Sequence, residues 1–394
     1  MNPMNTHTQN DRERIPHVRV LWTLAALCLI QSFIANATFA QAKYSLFSDP
    51  QAIGGTQGPT GVRGAGGQNV YVTGIYHPPT PTPSPSPSCP PSTSSGLLYL
   101  GPLSGGGASG SWTILNYPSS PGITVTGTAL YGPDNLPPSN VRLVGSYTKC
   151  EDPVVRNHGL LYEGPTDGSG TWQTIDFPDP PGEHVFNTIA HSTMGGLVVG
   201  NFDTGPLTGR AFVYDIGAAD HWRELPRPPG VISITAYGIW YNGGTSYTIA
   251  GGYAELGFSG NDQHGYLLNW DSSTHMVSDW TPYDFDSGPH TPVEISHFDG
   301  ITTDNQGGFY LTGTWLGGVP QHIGGFFAHV PRMPHRPFGD ARWRDIEYPS
   351  SPPPGFSVES TTGNTVFENI VLGIFMANGH SVFQGYIANV QGHR

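Results

Sequence analysis

From residue 44 onward, apolar and β-branched residues come in short runs broken by Gly, Pro, Asn, Asp and Ser, the pattern of strands joined by turns. The runs repeat in a fixed order. A stretch ending in Gly-x-aromatic occurs at Gly74-Ile75-Tyr76, Gly145-Ser146-Tyr147, Gly200-Asn201-Phe202, Gly251-Gly252-Tyr253, Gly313-Thr314-Trp315 and Gly373-Ile374-Phe375. A further Gly then opens the next run, at Gly96, Gly159, Gly209, Gly265, Gly325 and Gly385. An aromatic followed six residues on by Pro marks a third run at Tyr44/Pro50, Trp112/Pro118, Trp172/Pro178, Trp222/Pro228 and Trp343/Pro349, with Trp280/Asp286 in the remaining place. A fourth precedes each Gly-x-aromatic, as in Val231 to Tyr241 and Val293 to Thr303.

Four short strands per repeat, at a period of roughly fifty to seventy residues, match a propeller blade and exceed the usual solenoid unit. The chain enters this pattern on the third run of a unit, at Tyr44 to Pro50, and leaves it one strand short, after Gly385-Tyr386-Ile387-Ala388. Joined, the two ends complete one unit and hide sheet edges that would otherwise template aggregation. The pattern therefore predicts an all-β fold, a six-bladed β-propeller with four strands per blade, closed by an N-terminal outer strand added to three C-terminal ones. Residues 41–394 form one domain. Its most weakly patterned strand is the Gly-rich stretch Gly54 to Gly67, and its one insertion is the Pro/Thr/Ser-rich loop 77–95, which is expected to be extended and unpaired.

The segment Ile301-Thr302-Thr303-Asp304-Asn305-Gln306-Gly307-Gly308-Phe309-Tyr310-Leu311-Thr312-Gly313 resembles the bacterial extracellular repeat typified by D-x-x-G-n-x-Y-v-t-G, and Val70-Tyr71-Val72-Thr73-Gly74 matches its end. Tyr237-Gly238-Ile239 with Ala250-Gly251-Gly252 and Gly265-Tyr266-Leu267-Leu268 resembles the HAF-type extracellular repeat. These resemblances imply a secreted bacterial β-propeller and carry no catalytic residue with them.

Composition supports strands. Charged residues are only 11% of the chain, too few to clothe helical bundles, while 54 Gly and 38 Pro among 394 residues fall largely at the repeated turn positions. Residues 1–40 read as a signal peptide: Arg12, Arg14 and Arg19 precede the apolar run Val20 to Ala35, with cleavage after Ala37, Ala40 or Ala42. The protein is therefore expected outside the cytoplasm, secreted or periplasmic, with no integral membrane insertion after cleavage. A net charge of −13 and only two lysines, Lys43 and Lys149, argue against a nucleic-acid partner. Cys89 in the insertion and Cys150 in the equivalent loop of the next unit share one rim and form a candidate disulfide.

Chemistry is sparse. The innermost strands of a propeller converge on its axis, where ligands commonly bind. Aligning them on a Gly/Thr-apolar step places Thr60, Gly127, Asn187, Tyr237, Asp299 and Asn364 in one ring, with His184, His297 and Glu359 upstream. Asn187, Tyr237, Trp240, Asp299 and Asn364 are the candidate ligand-binding residues, and Trp315 is a further inner-strand candidate. The recurrent tryptophans of the third run are better read as packing between neighbouring units.

The sequence thus predicts a binding scaffold for a glycan, peptide or extracellular protein, with no cofactor and no metal. Two alternatives stand beside it. One is a polysaccharide hydrolase or lyase at the channel mouth using His297, Asp299 and Glu359, and the other is a structural envelope protein. Gly105 to Gly110 spells G-x-G-x-x-G without a following helix and reads as a hairpin turn. Asp284-Phe285-Asp286-Ser287-Gly288 lacks the ligands of a calcium loop.

Overall fold

The computed structural model describes residues 42–390, apart from 53, 85–87, 206–208, 256–262, 286–292, 351–355 and 380–381. The signal segment, Asp286 to Gly288 and the centre of the Pro-rich insertion lie outside these described residues. Among them every regular element is a strand, and no helix is long and apolar enough to cross a membrane.

The described residues open with β1 (Lys43–Leu46) and then build three separate four-stranded antiparallel sheets. The first holds β2 (Thr56–Gly66), β3 (Asn69–His77), β4 (Ser95–Gly101) and β5 (Ser111–Leu115). The second holds β6 (Val125–Leu136), β7 (Asn140–Lys149), β8 (His158–Gly164) and β9 (Thr171–Thr174). The third holds β10 (Asn187–Met194), β11 (Leu197–Asp203), β12 (Gly209–Asp215) and β13 (Trp222–Glu224).

The remaining strands form a twelve-stranded sheet. It comprises β14 (Val231–Gly243), β15 (Ser246–Glu255), β16 (Gln263–Asp271) and β17 (Met276–Tyr283), then β18 (Val293–Thr303), β19 (Phe309–Gly317), β20 (His322–Val330) and β21 (Arg342–Ile346), and finally β22 (Val358–Phe367), β23 (Ile370–Ala377) and β24 (Val382–Asn389) with β1. Within it, these antiparallel groups are joined by backbone pairing at two one-residue parallel pairs, Gln263 with Ile295 and Ile323 with Ser360. β1 pairs antiparallel with β24, from Lys43 opposite Asn389 to Leu46 opposite Tyr386.

The Gly-x-aromatic motif acquires a physical reason here. Its first glycine sits opposite the residue before a β-bulge on the first strand of each group: Gly74 faces Pro59, Gly145 Leu130, Gly200 Ala190, Gly251 Ala236, Gly313 Phe298 and Gly373 Gly363. The bulge pushes a backbone carbonyl against that glycine. A Cβ there would lie 1.8 Å from the His297 or Thr362 oxygen and 1.9–2.5 Å from the equivalent oxygen in the other groups.

The aromatic of the motif is equally constrained, because it receives a ring from the segment that leaves the preceding group. Tyr117 stacks on Tyr147 at 3.9 Å, Phe177 on Phe202 at 3.7 Å and Tyr348 on Phe375 at 4.0 Å, with Phe285 on Trp315 at 5.5 Å. The recurrent tryptophans close these clusters: Trp172 packs on Tyr117, Trp222 on Phe177 and Trp343 on Phe285.

Trp315 departs from its expected role. It is fully buried in the core, with Nε1 donating to Asp345 Oδ1 at 3.1 Å, so it is closed to ligands. The insertion between β3 and β4 departs too, because it carries one antiparallel bridge between Thr82 and Ser92 near its base. The Cys89 and Cys150 sulfurs are bonded at 2.12 Å, joining this insertion to the loop after β7.

Candidate functional site

Each first strand of a group has a register shift opposite the glycine of the Gly-x-aromatic motif, and the residues skipped there are Thr60, Tyr131, His191, Tyr237, Asp299 and Asn364. A bulge leaves its extra residue unpaired and re-aims the side chain. All six side chains line one cavity of about 250 Å³, completed by His297 and Thr314. Each of the six is half-buried.

Asp299 is the carboxylate of this lining. His297 Nε2 lies 3.2 Å from its Oδ1, and Thr314 Oγ1 donates to its Oδ2 at 3.2 Å. Burial disfavours the imidazolium of His297, but the charge of Asp299 and the hydrogen bond to it together prevail and raise His297 above the ordinary histidine value. His297 Nδ1 is buried and has no hydrogen-bond partner among the described residues.

His191 behaves oppositely. Burial pushes it down to about 4, so the ring is neutral at physiological pH. Its Nε2 lies 2.8 Å from Asn201 Oδ1, while Asn201 Nδ2 donates to Asp203 Oδ1 at 3.3 Å. That relay makes Nε2 the donor and leaves Nδ1 as an acceptor. The rings of Tyr131, His191, Tyr237 and His297 follow one another with centroids 5.2, 4.7 and 5.3 Å apart. Burial raises the phenols of Tyr131 and Tyr237, and the Asp299 charge adds to the rise at Tyr237. Both hydroxyls stay protonated.

Asn364 is held in place by donating from Nδ2 to Pro59 O at 2.8 Å and accepting from Thr362 Oγ1 at 2.7 Å. Thr60 donates to Leu130 O at 2.5 Å.

Three residues beyond Thr60, Arg63 of β2 reaches across to β10, β14 and β18. Its guanidinium donates to Ile239 O at 2.6 Å, Val62 O at 3.1 Å, Ile301 O at 3.3 Å and Ser192 Oγ at 3.4 Å, leaving Nε without a partner among the described residues. It lies 5.5 Å from the centre of the Trp240 ring. Burial lowers Arg63 to about 10 against an opposing pull from Asp134. Ile239 and Ile301 follow Tyr237 and Asp299 by two residues, so Arg63 forms the floor beneath the ring of bulges.

Of the residues singled out from sequence, Thr60, Tyr237, His297, Asp299 and Asn364 share this cavity. The others do not. Gly127 and Asn187 stand four residues before the true ring positions, Tyr131 and His191. Asn187 instead accepts from the Asn157 amide at 2.8 Å and donates to Asp203, which ties it to the His191 relay from behind. His184 pairs with Asp179 at 3.1 Å on the exposed surface. Glu359 accepts a hydrogen bond from the Gly379 amide, outside the cavity lining. Trp240 lies below the floor, against Arg63.

The signal for Tyr131 and His191 was local. In five of the six strands the bulge residue precedes a Gly or Ser: Thr60-Gly61, Tyr131-Gly132, His191-Ser192, Tyr237-Gly238 and Asp299-Gly300. Arg63 is the one charged side chain in a strand otherwise of Gly, Pro, Thr, Gln, Val and Ala, but its partners lie far along the chain.

No protein-family model matches the chain, and no curated protein matches it. Solved structures do. The mannose phosphorylase MPT-4 of Leishmania mexicana is similar at 12% identity and a TM-score of 0.40, over 85% of this chain and 99% of that one. The GH32 beta-fructofuranosidase BmSUC1 of Bombyx mori shows 11% identity and a TM-score of 0.42, over 93% and 82%. A hypothetical protein from Leishmania major shows 12% identity and a TM-score of 0.39, over 82% and 99%.

Proposed function

We propose that the chain closes into a six-bladed β-propeller and acts outside the cytoplasm as a binding module, holding a neutral sugar residue of a glycan in the axial cavity. Closure is supported by the first strands of the groups, which pack in cyclic order from β2 through β6, β10, β14 and β18 to β22, and from β22 back to β2. The observation that carries the functional reading is the convergence of six bulge side chains on one cavity.

The chemistry of that cavity favours binding over turnover. A sugar ring needs apolar faces and paired hydroxyl partners, supplied by Tyr131 and Tyr237 together with Asp299, His191 Nδ1, Thr314 and Asn364. A glycosidase usually needs two carboxylates across the bond it cleaves, and the lining offers Asp299 alone. A lyase would need a base, yet burial raises the Tyr237 phenol away from that task. The charge of Asp299 also repels an anionic sugar. The Cys89–Cys150 bond supports an oxidising compartment.

A panel of neutral and acidic glycans screened against the purified chain tests this. Neutral glycans are expected to bind, and Asp299→Asn to weaken them by at least about tenfold, the size of one charge-assisted hydrogen bond. Release of new reducing or unsaturated ends from a bound polysaccharide would replace binding by catalysis.

A further inference from the structure

The far end of β14 carries a second concavity that the axial cavity does not explain. It has a volume of about 290 Å³ and lies between the β14–β15 hairpin and the segment that follows β20. A wider depression of about 610 Å³ adjoins it, sharing Asn269, Arg332 and Pro337. We propose that this groove is a binding site for a sugar acid, with Arg332 taking the carboxylate. The inference does not rest on the reading of the axial cavity.

Arg332 carries the argument. In an acidic chain, Arg142, Arg156, Arg210, Arg223 and Arg336 each hold a carboxylate within 4 Å. Arg332 has no hydrogen-bond or ion-pair partner among the described residues. It is nevertheless positioned, because its stem lies over Gly307, where a Cβ would approach its Cδ to 2.9 Å. Gly307 has a φ of +90°, so the backbone there both requires glycine and leaves room for the arginine. An exposed guanidinium held open in a concavity presents the planar fork that matches a carboxylate.

The rest of the wall suits a sugar. Asn242 Nδ2 donates to Thr248 Oγ1 at 2.9 Å, Thr248 donates to Asn269 Oδ1 at 2.9 Å, and Asn269 Nδ2 donates to Asp279 Oδ2 at 3.0 Å. This chain fixes the amides and leaves Asn242 Oδ1 as an acceptor at the surface. Trp240 and Phe309 supply the apolar side. The charges facing the groove are few. Asp279 is engaged by Asn269 and Ser278, and Arg336 is paired with Asp340 at 2.8 Å. Asp279 keeps its negative charge, and Arg332 is the arginine of the groove that no carboxylate among the described residues pairs.

Calorimetric titration of the full chain with glucuronate, glucose and acetate tests the proposal. Glucuronate is expected to bind at least tenfold more tightly than either of the others. Arg332→Ala should lose that preference, and Arg332→Lys should lose most of it, because the lysine keeps the charge without the fork. Because Arg332 is exposed, both variants are expected to unfold at the same urea concentration as the parent. Equal affinity for glucuronate and glucose, equal affinity for glucuronate and acetate, or an Arg332→Ala variant that binds glucuronate as the parent does would each overturn it.

Discussion

At the level of single residues, the two cavity histidines are pushed in opposite directions by the same surroundings. His297 has a carboxylate partner and is raised. His191 has only the amide of Asn201 and is lowered to about 4. The sign of the linkage follows. In the unfolded chain His191 takes up a proton near 6.5, whereas the folded chain refuses it until about pH 4. Between those values the unfolded state holds more protons, so stability falls as pH drops, by up to about 3 kcal/mol in total. His297 acts the other way. Its contribution is complete below the ordinary histidine value and is lost as pH rises through its raised one. His191→Gln keeps a hydrogen-bonding group without the titration. Urea unfolding at pH 7 and pH 4.5 should show the parent losing more stability than this variant, and equal losses would mean that His191 is not held neutral by the fold.

At the level of the strand, one bulge explains both the recurring glycine and the ring of candidate ligands. The repeat spacing made the strands legible, because Gly-x-aromatic and aromatic-x5-Pro recur in a constant order. The bulge was not legible, because a register shift is a property of two paired strands while the sequence presents one at a time. Aligning the first strands on a Gly/Thr-apolar step therefore found Tyr237, Asp299 and Asn364 but stopped four residues early in β6 and β10. Arg63 was hidden for a related reason: its partners are backbone carbonyls on strands more than a hundred residues away. The bulge account predicts a selective cost. Gly251→Ala would drive a Cβ to 1.9 Å from Thr235 O and should destabilise by about 3 kcal/mol. Gly64→Ala, in β2 but four residues beyond the Thr60 bulge and at a second register shift where no carbonyl is pressed against it, meets nothing closer than 3.6 Å and should change stability by less than about 1 kcal/mol. Chemical denaturation of the pair checks it, and similar costs at both sites would remove the steric explanation.

At the level of the whole molecule, the question is what holds the first and last parts of the chain together. β1 supplies four backbone pairs to β24, and its side chains reach further. Tyr44 packs edge-on against Tyr348 at 5.8 Å, and its hydroxyl accepts from the Glu347 amide at 3.1 Å; burial raises its phenol to about 12. Phe47 donates its amide to Gly385 O at 2.9 Å and buries its ring against Tyr99 and Trp112 of the first sheet, with centroids 5.2 and 5.1 Å away. One short segment thus touches the β18–β21 group, the β22–β24 group and the first sheet. Phe47→Ala keeps β1 but removes the last of these contacts, and should cost about 3–4 kcal/mol. Deleting residues 42–47 should cost more and also expose the β24 edge, so that the variant associates in size-exclusion chromatography while Phe47→Ala stays at the parent's size. If the deletion unfolds at the parent's urea concentration and elutes with it, the ends are joined by packing of β2 against β22, β23 and β24. The joining of the two ends would then owe nothing to β1.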